Sequence, residues 1–213
     1  MPLYKTITVN NHTKVLIWKI EEPYEKLREN VSLTSHCQDR MEGMKSDIHR
    51  RGFLSVRHLL AEEGYADHDL FYDGHGKPHL KDGKFISITH SFIFSAIILS
   101  DSEVGIDIEK QRDKILRIAH KFTPIQEYRT IANFDALIRK LTIVWGAKEA
   151  IYKLYAEPGV SFLQNININD FDFDSFKTTG KVFFKGETTH YVLDFLEFEE
   201  FTCVYALPEL NPA

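Results

Sequence analysis

Asp107 and Glu109 have the residue types and the spacing to do chemistry together. They lie in Val104-Gly-Ile-Asp-Ile-Glu-Lys110, a run with strand-like alternation, in which residues two apart share a face at roughly 6.5–7 Å. Ile106 and Ile108 then point the other way, into a core. Adjacent carboxylates repel unless a positive charge sits between them, and a hard dication such as Mg²⁺, which takes oxygen ligands, answers that need. An edge strand ending in solvated acids is the alternative that this stretch alone leaves open.

A second group follows in Trp145-Gly-Ala-Lys-Glu-Ala-Ile-Tyr-Lys153. Leu137, Leu141, Val144, Ile151 and Tyr155 mark an apolar helical seam whose rhythm demands a residue at 148. That residue is Lys148, and a lysine in the phase of a buried stripe is costly unless its charge is met. Glu149 precedes Lys153 by four residues, the spacing of an ordinary helix ion pair. With Trp145, these residues crowd an aromatic, two cations and an acid into little more than two turns, which favours a site.

Upstream, Asp73-Gly-His-Gly-Lys-Pro-His79 is a polar turn where backbone can approach a ligand, with Lys77 to supply charge and Pro78 to stiffen it. On local grounds a plain hairpin loop is the simpler account. His90 stands at the break between two apolar strand-like runs, Phe85 to Ser91 and Phe92 to Leu99, where a hydrogen-bonded turn histidine is the simpler account. Between 110 and 121, Lys110, Arg112, Lys114, Arg117 and Lys121 face one acid, Asp113. This is either a solvated helix face or a patch that steers an acidic partner.

The elements that must position these groups read as strands around Ile7 and 15–20, a short helix from about Pro23 to Glu29, and a helical pattern from Cys37 to Glu63. In the last, Arg40, Lys45, Arg50, Arg51 and Arg57 fall between apolar positions and give the helix a basic face. A strand over 69–72, a helix start at Thr123-Pro-Ile-Gln-Glu127 and a long helix from about Phe134 to Tyr155 come next. Strands near Phe171, 181–185, 190–196 and 201–206 close the chain, with Glu197, Glu199 and Glu200 reading as solvent-facing acids. Each half thus holds a long helix and several strands. The fold class is α+β: two similar lobes, 1–103 and 104–213, each with a long helix on a small, mostly antiparallel sheet, and the acidic pair near the cleft between them.

Composition narrows the function. With 213 residues, 43% apolar and 13% aromatic, the chain supports a real core. A net charge of −5 gives no basic footprint for nucleic acid, and no apolar run approaches the roughly 18 residues of a membrane span. The first residues lack the apolar core of a signal peptide, and two cysteines form no disulfide framework, so a reducing cytoplasm is the default.

Taken together, Gly76-Lys-Pro-His79, Ile88-Thr-His-Ser91, Gly105-Ile-Asp-Ile-Glu-Lys110 and Trp145-Gly-Ala-Lys-Glu-Ala-Ile-Tyr-Lys153, in this order and extended by Gly159-Val-Ser-Phe162, resemble the 4'-phosphopantetheinyl transferases of the longer, two-lobed, monomeric class. Gly146 stands where that family often has Ser or Thr, and Gln111 where some members have a small hydroxyl residue. The resemblance implies transfer of the phosphopantetheine arm of coenzyme A to a serine of an apo acyl or peptidyl carrier protein. It implies that Asp107, Glu109 and Glu149 hold Mg²⁺, with Glu149, acting directly, or a metal-bound water as the base. His90, Lys148 and Lys153 would contact phosphate oxygens, Arg51 and Lys77 the nucleotide phosphates, and Pro78 would shape the adenine pocket. The alternatives are a Mg²⁺-dependent coenzyme A phosphohydrolase using the same acids and a catalytically silent module that keeps the fold.

Overall fold

In the computed structural model, residues 3–125, 128, 131 and 133–209 are described. The chain divides into two compact units, Met1–Ser102 and Glu103–Ala213. Both are α+β, each an antiparallel sheet with a long helix packed on it. Among the described residues no helix is long and apolar enough to cross a membrane.

The first unit contains β1 (Leu3–Asn10), β2 (Thr13–Lys19), α1 (Tyr24–Arg28), α2 (Ser35–Glu42), α3 (Asp47–Glu62), β3 (Leu70–Tyr72), β4 (Pro78–Leu80), β5 (Phe85–Ser91) and β6 (Phe94–Ser100). Its sheet runs in the order β1-β2-β6-β5-β4-β3. Leu54, Val56, Leu59 and Leu60 of α3 pack with Leu16, Trp18, Ile97 and Leu99 to form its core.

The single helix expected over 37–63 is two helices. Gly43 closes α2 and Ser46 precedes α3. Glycine is a poor helix former, and the Met44 carbonyl is taken by Arg50 Nε at 2.7 Å. The basic face is also not uniform. Arg57 is buried, with Nε donating to Asp67 Oδ1 at 2.9 Å and its guanidinium 3.5 Å from the Phe53 ring centre. Asp67 is held below the usual carboxylate range: burial would raise it, but the Thr34 amide and Arg57 outweigh that.

The second unit contains β7 (Gly105–Lys110), α4 (Lys114–Ile118), α5 (Phe134–Tyr155), β8 (Ile166–Ile168), β9 (Lys177–Phe184), β10 (Glu187–Phe198) and β11 (Phe201–Pro208). The sheet order is β7-β11-β10-β9-β8, so β7 is an edge strand. The Asn133 side chain accepts from the Ala136 amide at 2.8 Å and starts α5, which ends at Ala156 in the left-handed conformation. Leu141, Val144, Ala147, Ile151 and Leu154 form its buried seam against Val182, Leu193, Phe195, Val204 and Ala206.

No strand forms at Phe171. Lys140 pairs with Asp170, donates to the Phe171 carbonyl and lies 3.6 Å from the Phe171 ring centre, which holds this stretch as a loop. The expected helix start at 123–127 includes Gln126 and Glu127, which lie outside the described residues.

Candidate active site

The register of the second sheet determines what Asp107 faces. Asp107 pairs with Val204, and Gly105 with Ala206; both partners belong to the core that packs under α5. Asp107 therefore points toward the helix, and at 5% exposure it is not a solvated strand end. Ile106 and Ile108 are buried on the opposite face, as alternation requires. Glu109 is half-buried on the Asp107 side.

Glycine lets the helix come this close. A Cβ on Gly105 would lie 1.9 Å from the Ala150 carbonyl oxygen, and one on Gly146 would lie 3.0 Å from Val204 Cγ2. The resulting crossing brings Lys153 onto β7: its Nζ donates to Asp107 Oδ1 at 2.8 Å and to the Ile106 carbonyl at 2.9 Å. The Glu149–Lys153 spacing thus leads to an ion pair of Lys153 with Asp107. The other Asp107 oxygen, Oδ2, is buried and lies 3.7 Å from the point a Gly146 Cβ would occupy.

Glu149 shares this field. Its carboxyl is pushed up to about 7, first by burial and then by the negative charge of Asp107, with Lys153 opposing and Glu109 adding to the rise. The three acids are therefore electrostatically coupled. Among the described residues no three His, Cys, Asp or Glu side chains form a ready-made metal cage. Magnesium does not require one, since it is commonly held by one or two carboxylates together with water and substrate phosphates. An all-oxygen donor set carrying excess negative charge fits such a cation.

Lys148 lies within α5. It is buried, as the seam demands, and its Nζ donates to the carbonyls of Phe122 at 2.5 Å, Phe162 at 2.8 Å and Ile166 at 2.6 Å. The ammonium thus gives hydrogen bonds to three backbone carbonyls. A groove beside the acids is lined by Glu109, Arg112, Lys114, Ile118 and Trp145. Arg112 and Lys114 are exposed, while Ile115, Leu116 and Ile118 are half-buried and pack against the core.

Sequence reasoning missed Glu197 in this unit. It accepts from Gln111 Nε2 at 2.6 Å and Arg139 Nε at 2.9 Å, tying the end of β7 to α5 and β10, and it is not the solvent-facing acid that strand alternation suggested. Its partners are 86 and 58 residues away, and local pattern carries no trace of them.

The remaining candidates belong to the first unit. His90 lies within β5, opposite Ser95, and the chain turns after it at Phe92 and Ile93. Its exposed ring lies over α3 at Gly52, where a Cβ would come within 2.8 Å of Cδ2, and runs parallel to the His49 ring at 6.1 Å. The signal for Gly52 was a glycine inside an amphipathic helix, where it costs stability relative to alanine. Arg51, also on α3, donates to the Ile20 carbonyl at 2.9 Å. Neighbouring Arg50 is turned to Met44.

Lys77 and Pro78 leave a turn organised by Asp73. The Asp73 Oδ1 accepts from the His75 and Lys77 amides at 2.9 and 3.0 Å. Bonding to His79, followed by these amides, depresses its carboxyl to about 2.

The second unit is thus an α+β domain with a coupled carboxylate cluster where its long helix crosses its edge strand. Residues 103–206, which span most of the C-terminal unit, match the 4'-phosphopantetheinyl transferase superfamily. No curated protein matches the chain. The domain supports phosphopantetheinyl transfer as the general activity.

Proposed function

We propose that this protein is a two-lobed, monomeric 4'-phosphopantetheinyl transferase of the cytoplasm. It moves the phosphopantetheine arm of coenzyme A onto a serine of an apo acyl or peptidyl carrier protein. The observation that carries this reading is the Asp107, Glu109 and Glu149 cluster with Lys153 bonded into it, inside the stretch that matches the superfamily.

Asp107, Glu109 and Glu149 would hold Mg²⁺, which when bound supplies Lewis-acid neutralisation of the pyrophosphate. Lys153 orients Asp107 through Oδ1 and brings positive charge to the site where phosphate charge must be met. The serine Oγ bonds to the phosphorus that carries the pantetheine arm. The bond from that phosphorus to the bridging oxygen breaks, and adenosine 3',5'-bisphosphate leaves. Glu149 is assigned as the acceptor of the serine proton, directly or through a water. His90 is assigned to a phosphate oxygen, Arg51 and Lys77 to the nucleotide phosphates, and Pro78 to the adenine.

The test incubates the protein with coenzyme A, Mg²⁺ and a panel of apo carriers, with mass measurement of each carrier. A gain of one phosphopantetheinyl group supports transfer. Coenzyme cleavage without carrier labelling would indicate a phosphohydrolase, and binding without either would indicate a silent module.

A further inference from the structure

Lys148 is among the largest fully buried side chains of the chain. Its Nζ donates to carbonyls 26, 14 and 18 residues away, so one ammonium gathers backbone from separate parts of the unit. Charge-assisted bonds of this kind are stronger than neutral ones, and an unmatched buried carbonyl is costly.

Two of those carbonyls belong to Phe122 and Phe162, whose rings bracket Trp145 at centroid distances of 5.1 and 5.4 Å. The Phe162 ring also meets Tyr152 at 5.4 Å. Trp145, Glu149 and Tyr152 follow the four-and-three spacing of one helix face, and Trp145 lines the groove that includes Glu109.

We infer that Lys148 is a positioning residue that clamps the backbone at Phe122, Phe162 and Ile166, so that the Phe122 and Phe162 rings hold Trp145 as the wall of the groove beside the acids. It does not bind coenzyme phosphates. The effect on carrier approach rests on the transferase reading; the clamp itself does not.

Amine acylation of the wild-type protein, with and without coenzyme A and read by peptide mass, tests the clamp directly. Lys148 stays unlabelled in both conditions, whereas Lys153, whose side chain is 28% exposed, is labelled and then protected by the coenzyme. Lys148 labelled in the free protein and protected by coenzyme A would overturn the inference. Lys148 unlabelled while Lys153 gains no protection would sustain the clamp and count against the transferase reading.

In Lys148→Met, with folding checked by circular dichroism, carrier KM should rise about tenfold while coenzyme A affinity stays within about twofold. The reverse split would contradict the positioning role. Should this variant not fold, the labelling decides.

Discussion

Gly105 of β7 and Ala150 of α5 approach so closely that a Cβ on the glycine would stand 1.9 Å from the alanine carbonyl oxygen. The obstacle is helix backbone, which cannot rotate aside as a side chain can. This contact sets the height of α5 over the edge strand, and with it the 2.8 Å bond between Lys153 and Asp107.

Gly105→Ala should therefore lift α5 from β7. Overpacking of this kind costs about 1–3 kcal/mol, and transfer activity should fall further than stability does. Gly43→Ala, where a Cβ meets nothing nearer than 3.5 Å, should leave transfer activity unchanged and cost no stability. Urea midpoints and turnover of the two variants make the comparison; equal behaviour would remove the crossing from the account.

Glu149 predicts a pH dependence with a definite sign. Its carboxyl rises from an ordinary 4.5 to about 7 on folding, so the folded protein holds a proton that the unfolded chain releases. The stability this provides is full below the unfolded value and is lost as pH rises through about 7. In metal-free protein, Glu149→Gln should match the parent's Tm near pH 4.5 and exceed it near pH 8. A Tm difference that does not change with pH would show that folding does not raise the Glu149 carboxyl.

Arg112 and Lys114 are exposed on the rim of the groove that contains Glu109. Reversing both to Glu should raise KM for an acidic carrier about tenfold at low salt, since rim charges act chiefly on encounter, and should leave coenzyme A affinity unchanged. Unaltered carrier kinetics would reduce the 110–121 stretch to a solvated face.

Periodic features were legible in the sequence. The bounds of α5 and the buried phase of Lys148 follow from a helical seam, and the alternation of β7 follows from Gly-Ile-Asp-Ile-Glu. The missed features depend on partners that periodicity cannot see. Arg57 looked like one of several basic surface residues until Asp67 buried it. Glu197 looked solvent-facing until Gln111 and Arg139 met it across the fold. Lys148 was correctly placed inward, and the carbonyls of Phe122, Phe162 and Ile166 that it meets there lie outside the helix, where its periodicity carries no trace of them. The break between α2 and α3 escaped because the apolar spacing continues through Gly43, while Met44 leaves the helix and gives its carbonyl to Arg50.

The central claim is that the acid cluster acts mainly as charge moves in the transition state. Parallel measurement of turnover and coenzyme A affinity in Asp107→Ala tests it. The account predicts a turnover loss of about a hundredfold or more with only a few-fold change in affinity, the signature of an interaction realised in the transition state. Near-normal turnover in the folded variant would contradict it.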